Sequence, residues 1–271
     1  MKNTAHPGSL SSPRLQSSAA TPSLVLASLA LAFLLATSAR GQQPFYEETF
    51  NDGGASLKLY NEAAIGAAGS GVSGKPGDAA YEAAAAEPGV RAPVATIISE
   101  LPADSLQEFT MTVWFKPGAD ISGKLASLFN SHGIVLGWDG GQWLLRVNDR
   151  NGEKAAEKYY KAGTGIDAAP GDWKFLACTW SNAAKEAAFF VGDKTRAVEQ
   201  ETSVASKDPQ PEMSFGDPKI PKAVGNTFVP AAAESFPGHI DDIRMFDKVL
   251  TVGQIEKIRQ ADLENKAIYL K

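Results

Sequence analysis

The feature that most narrows the possible folds is a succession of short apolar segments, each broken by turn residues, running from Phe45 to Gly192. F-Y-E-E-T-F (Phe45–Phe50) stops at N-D-G-G. V-A-T-I-I, F-T-M-T-V-W-F-K-P, K-L-A-S-L-F, G-I-V-L-G-W, Q-W-L-L-R-V, D-W-K-F-L-A-C-T-W and E-A-A-F-F-V-G come later. Even spacing without a helical pattern between segments predicts an all-β sandwich rather than βαβ units. Within F-T-M-T-V-W-F, Phe109, Met111, Val113 and Phe115 fall on one face and Thr110, Thr112 and Trp114 on the other. That period of two predicts a half-buried antiparallel strand.

Turn chemistry marks the connections. Asp139-Gly140-Gly141 separates two strands, Gly192-Asp193 separates two more, and Asn148 to Gly152 forms a third turn cluster. Ser203 to Phe228 is rich in Pro, Lys and Asp and reads as a long surface loop. After Leu250 the period changes. Thr251 and Gln254 match a capping box, and Ile255, Ile258 and Leu263 follow at roughly helical spacing, so one short C-terminal helix is expected. No internal repeat is visible.

The first 41 residues stand apart. Lys2 and Arg14 precede an uncharged run from Ser23 to Ala39, whose apolar centre is shorter than the about 20 residues of a bilayer span. Small residues follow, with cleavage after Ala39 or Gly41 both compatible, so residues 1–41 read as a secretory signal peptide and 42–271 as one domain. An uncleaved N-terminal anchor is the rival. The expected location is outside the cytoplasm: extracellular, cell surface or periplasm. Loss of Lys2, Arg14 and Arg40 takes the 26 basic residues to 23 against 31 acidic, a formal charge of −8. That balance offers no footprint for nucleic acid or anionic lipid, and no later segment is apolar enough to span a membrane.

Catalytic signatures are scarce. The single cysteine, Cys178, lies in an apolar strand, cannot form an internal disulfide, and reads as a buried structural thiol. His132 and His239 sit in no zinc-binding pattern, and no G-x-S-x-G elbow occurs. Gly69 to Pro76 matches the glycine and lysine spacing of a phosphate loop, but Pro76 stands where a magnesium-binding hydroxyl is needed. Trp114, Trp173 and Trp180 read as packing residues. Trp138 and Trp143 flank the Asp139 turn and are the candidate ligand-binding residues, as a platform for a sugar's CH face; cross-strand packing is the other reading.

Four stretches together resemble the laminin-G-like domains of the concanavalin A-like lectin/glucanase superfamily. They are Gly74–Tyr81, Phe109–Pro117, Gly171–Thr179 with Phe189–Gly192, and the closing F-P-G-H-I-D-D-I-R-M-F-D-K-V-L-T-V-G-Q-I from Phe236 to Ile255. The resemblance runs from about Phe45 to Leu263 and implies a two-sheet antiparallel jelly roll. It implies little about ligand, because members bind sugars, bind proteins or cleave glycans. The E-x-D-x-E strand of the superfamily's retaining glycosidases is absent, so no acid pair of that kind is expected.

In related glucanases a structural calcium ties the first strand to the closing one. The resemblance carries its side-chain ligand onto Asp241 and a backbone carbonyl ligand onto Thr49, within Glu48-Thr49-Phe50-Asn51. Calcium takes 6–8 oxygens, carbonyls included. The alternative is an Asp241 that bonds amides or a basic side chain without metal. Strand alternation predicts Asp241 on the face of Ile243 and Met245, and Asp242 on a solvated face with Ile240, Arg244 and Phe246, paired to Arg244. The expected function is a secreted, non-catalytic module binding a polysaccharide or an extracellular protein. A structural subunit without sugar affinity is the alternative, and a glycoside hydrolase the remote one.

Overall fold

The computed structural model describes residues 42–84, 93–97, 101, 106–121, 125–131, 133–147, 158–163, 170–206, 222–225 and 236–270. Its strands are β1 (Tyr46–Glu48), β2 (Leu57–Tyr60), β3 (Ala64–Ile65), β4 (Tyr81–Ala83), β5 (Val94–Ile97), β6 (Glu108–Pro117), β7 (Leu125–Asn130) and β8 (Ile134–Asp139). They continue with β9 (Gln142–Val147), β10 (Lys158–Ala162), β11 (Lys174–Ser181), β12 (Glu186–Asp193), β13 (Glu199–Ala205), β14 (Lys222–Val224) and β15 (Gly238–Phe246). A single helix among the described residues, α1, spans Val252–Leu263.

Two antiparallel sheets face each other. The first runs β13-β12-β11-β6-β15-β4-β3, with β1 also paired to β15; the second runs β10-β9-β8-β7-β14-β5-β2. Alternation sends Phe109, Met111, Val113 and Phe115 of β6 inward to meet Leu136, Leu145, Val147 and Phe129 of the second sheet. The expected all-β jelly-roll sandwich with one C-terminal helix is the observed architecture.

β6 is not half-buried. Thr110, Thr112 and Trp114 on its other face are as inaccessible as its inner residues. Trp114 joins a second apolar layer with Phe175, Phe190, Phe246, Ile255 and Ile258, into which α1 packs. The capping box forms as expected: Gln254 N–H donates to the Thr251 hydroxyl, and the Gln254 side chain accepts from the Thr251 N–H. Cys178 is fully buried, and desolvation pushes its thiol up to about 12, which disfavours the thiolate at neutral pH, as for a structural thiol.

Two turn expectations meet different outcomes. Asp139 pairs with Gln142 across Gly140-Gly141, at φ +60° and +101°, the doubly left-handed geometry of a two-residue hairpin. Gly192-Asp193 instead ends β12, and the turn lies one step later, where Asp193 Oδ1 accepts from the amides of Thr195 and Arg196. The turn joining β11 to β12 is Asn182 to Lys185. The presumed loop Ser203–Phe228 contains the end of edge strand β13 and all of β14, a central strand of the second sheet. Residues 1–41, His132 and the turn cluster 148–152 lie outside the described residues.

Candidate functional site

The closing strand carries the chemistry, and its register explains the aspartate pair. On β6, Trp114 faces Asp241 and Thr112 faces Arg244, so three steps on β15 oppose two on β6. The extra residue is a β-bulge, with Asp242 in the left-handed region at φ +49°. Asp tolerates this conformation better than most residues. Ile240, Ile243 and Met245 therefore all enter the inner core, and Asp241, paired across from Trp114, turns outward. The alternation predicted for this strand fails at one residue, because a period of two assumes an unbroken ladder.

The predicted solvated Asp242–Arg244 pair is buried: 5% of Asp242 and 3% of Arg244 is exposed. Arg244 Nε donates to Glu47 of β1 at 2.6 Å, Nη2 to Asp242 of β15 at 3.1 Å, and Nη1 to Asp262 of α1. Asp262 also accepts from Trp114 Nε1 at 2.9 Å. One guanidinium thus ties first strand, closing strand and helix, using the fork geometry that suits Arg to several carboxylates. Burial raises the pKa of Asp262, and the Asp242 charge adds to it. Burial likewise pushes Asp242 up to about 6 against the pull of Arg244. Arg244 stays ionised: its burial is outweighed by Asp262, Asp242 and Glu47.

Asp241 lies deeper, its two carboxylate oxygens accepting the amides of Val72 and Asp242, both at 2.8 Å. Burial first, then the charges of Asp242 and Asp78, raise its pKa well above the usual range. Asp78 is itself buried and accepts from the Ser73 amide and hydroxyl at 2.7 and 2.6 Å. The β1–β15 register, Glu48 opposite Ile243, carries Thr49 to the bulge. Thr49 lines a cleft of about 180 Å³ with Glu47, Asn51, Asp242, Arg244 and Asp262. Asp242, rather than Asp241, shares that cleft with Thr49.

These donors suit a hard, oxygen-seeking cation: buried carboxylates outnumber cations, and each Asp241 oxygen that accepts one amide keeps a lone pair. Among the described residues no three His, Cys, Asp or Glu side chains are grouped to hold a metal ion, so such an ion would lean on carbonyls.

Trp138 and Trp143 are brought together but not exposed. They are cross-strand partners on the inner face, 4% and 1% exposed, with ring centroids 5.0 Å apart in an edge-to-face arrangement. Trp143 Nε1 donates to Glu201 of β13 at 2.7 Å. They serve packing rather than a sugar platform. Alternation held the signal: Trp138 is in phase with Ile134 and Leu136, and Trp143 with Leu145 and Val147, all core residues.

The opening that sequence reasoning missed lies where the two sheets meet at β2 and β3. β2 ends the second sheet, β3 ends the first, and the chain crosses between them through Asn61 and Glu62, at φ +55° and +66°. The Ala63 amide closes this turn on the Tyr60 carbonyl at 3.1 Å. Beside it is an open groove of about 520 Å³ lined by Asn51, Leu59, Ala64, Ile65 and Ala68 among others. Asn51 separates groove from cleft: its Oδ1 accepts from the Ala79 amide at 2.8 Å and its Nδ2 donates to Asn265 at 3.4 Å.

Left-handed backbone concentrates here. Of six such non-glycine residues among the described ones, Phe50, Asn61 and Glu62 adjoin the groove, and Asp242 and Asn265 line the cleft. Asn and Asp adopt this conformation readily, so strain here is confined to Phe50 and Glu62, and strain of that kind persists only where surrounding structure enforces it. The only signal in the sequence was the Gly/Ala-rich stretch from Asn61 to Val90.

A laminin-G family model, described as concanavalin A-like lectin/glucanases superfamily, matches residues 94–256. The chain belongs to this superfamily. Among solved structures, one of botulinum neurotoxin type C, described for its dependence on two ganglioside molecules, is 11% identical at a TM-score of 0.52. It covers 76% of this chain and 46% of the other. The W1252A mutant of HCR D/C VPI 5995 gives a TM-score of 0.53 at 11% identity, covering 76% of this chain and 47% of the other. This chain thus spans just under half the length of those structures, and likeness at that identity concerns the fold. No curated protein matches the chain.

Proposed function

We propose that this chain is a secreted, non-catalytic binding module whose ligand is an extracellular glycan held in the groove between β2 and β3. The observation that carries the reading is the groove itself. Its volume of about 520 Å³ falls in the range of small-ligand sites, it is open to solvent, and strained backbone adjoins it. The ganglioside dependence of the botulinum relative accords with this, but a shared fold does not transfer a ligand. The carboxylates of the neighbouring cleft are tied to Arg244, an arrangement suited to fastening the fold rather than to acid–base work.

Screening the protein on an array of neutral and acidic polysaccharides tests the reading. Binding to at least one class is expected; silence across the array, with capture of an extracellular protein instead, would replace it with the protein-assembly alternative.

A structural calcium at the bulge is proposed alongside, with Asp241 as side-chain ligand and the Thr49 carbonyl as a second; the ion would have to bridge from Asp241 to the cleft that Asp242 shares with Thr49. It would offset the surplus of buried carboxylates and join β1 to β15. Melting temperatures measured with calcium and with chelator decide this, and equal values sink it.

A further inference from the structure

The lining of the groove narrows the class of sugar. Resting on the glycan reading above, we infer that the groove takes an uncharged N-acetylated sugar in preference to a plain or an acidic one. Leu59, Ala63, Ala64, Ile65, Ala68 and Ala79 supply small aliphatic walls, and Asn51 is the only polar side chain in the lining.

Among the described residues, none that lines the groove is aromatic or charged, Glu62 standing beside the lining rather than in it. A plain sugar's CH face is best held on an aromatic ring, and an acidic sugar on Arg or Lys. Neither is on offer. A carboxylate brought among these alanines would lose water without gaining a partner, in a chain whose formal charge is already −5. Walls of alanine instead suit a methyl group.

The polar complement comes from peptide groups. Among the described residues β3 pairs only with β4, and β2 only with β5, so each presents a sheet edge of N–H and C=O groups. An acetamido group is itself a peptide-like donor and acceptor, so such an edge can satisfy its N–H and C=O while its methyl packs against the alanines. Asn51 keeps one amide hydrogen and one acceptor lone pair beyond its bonds to Ala79 and Asn265. It can therefore fix a sugar hydroxyl.

Titration calorimetry of the full chain with trimers of N-acetylglucosamine, glucose and glucuronate tests the assignment. The N-acetylated trimer should bind about tenfold or more tighter than the glucose trimer, the scale of one methyl in an apolar pocket, and the uronate weakest. Ala68 is exposed, so Ala68→Glu should abolish binding without moving the melting temperature. Equal or tighter binding of glucose or glucuronate overturns the N-acetyl assignment and leaves the glycan reading standing. No binding of any sugar overturns both. Undiminished binding by Ala68→Glu places the site elsewhere and also overturns it.

Discussion

Two concavities lie on either side of Asn51, and they are built from opposite materials. The cleft under β15 is walled by Glu47, Asp242, Arg244 and Asp262, with its charges paired to one another. The groove at β2 and β3 is walled by aliphatic side chains and glycine. Carboxylates held by Arg244 have little left for an organic ligand, whereas a neutral wall beside edges that pair with no further strand among the described residues can still bind one. The difference separates a part that holds the fold shut from a part free to bind.

Breaking the charged side should have the largest effect. Arg244→Met leaves the carboxylates of Asp242 and Asp262 buried without their cation, and such a loss costs about 3–5 kcal/mol. Denaturant titration should show it as a lower midpoint, whereas a groove ligand, where the variant folds, should bind with unchanged affinity. A loss of affinity alongside intact folding would erase the distinction between the two concavities.

Next comes Glu201, which braces the inner core from the far edge of the sandwich. Glu201→Ala strips the Trp143 indole N–H of its acceptor, and an unsatisfied buried donor costs about 1–3 kcal/mol. A smaller cost on denaturant unfolding would mean that the indole finds another acceptor.

The two acids of α1 sharpen the comparison through pH. Asp262, its pKa raised by burial and by Asp242, binds its proton more tightly folded than unfolded. Its contribution is therefore complete below the ordinary carboxylate range and is lost as pH rises through the folded pKa. Glu256 is the reverse: hydrogen bonding from Arg259 holds it at about 2 rather than 4.5. Its contribution is present above pH 4.5 and disappears as pH falls toward about 2. Stability profiles of Asp262→Asn and Glu256→Gln should flatten opposite limbs; flattening of the same limb would contradict these assignments.

The smallest effect should come from the groove's own strain. Glu62 sits at φ +66°, where a side chain costs roughly 1–2 kcal/mol and glycine none, less the chain entropy that glycine forfeits. Glu62→Gly should therefore raise stability by up to about 1 kcal/mol. A destabilised variant would show that the Glu62 side chain makes a compensating contact.

The strands that sequence reasoning found are those with long apolar runs and clear alternation, such as β6, β8, β9 and β11. β13 was hidden because E-Q-E-T-S-V-A carries edge charges, which guard an unpaired ladder rather than fill a core. β14 was hidden because three residues, Lys-Ala-Val, are too few to display a period. At the site, the identity of Asp241, Asp242 and Arg244 as a group was legible, but their side was not. A bulge depends on pairing with β6 and leaves no local mark except an Asp able to turn left-handed. The groove was illegible for a further reason. Its walls come from residues of low information, alanine and glycine, and only the crossing of the chain between two sheets brings them together.

The ends of the described domain also meet. The Gln42 amide donates to the Leu270 carbonyl at 2.7 Å, and Gln254 of α1 reaches back to the Gln42 side chain. A domain whose two ends are already neighbours can be rewired with little loss. A few flexible residues could join 270 to 42, and new ends could open at the exposed, left-handed Lys185 turn between β11 and β12. The order in which the strands emerge during synthesis would then change while every pairing stayed the same. This sandwich can thus separate the sequence of its assembly from the stability of the finished fold.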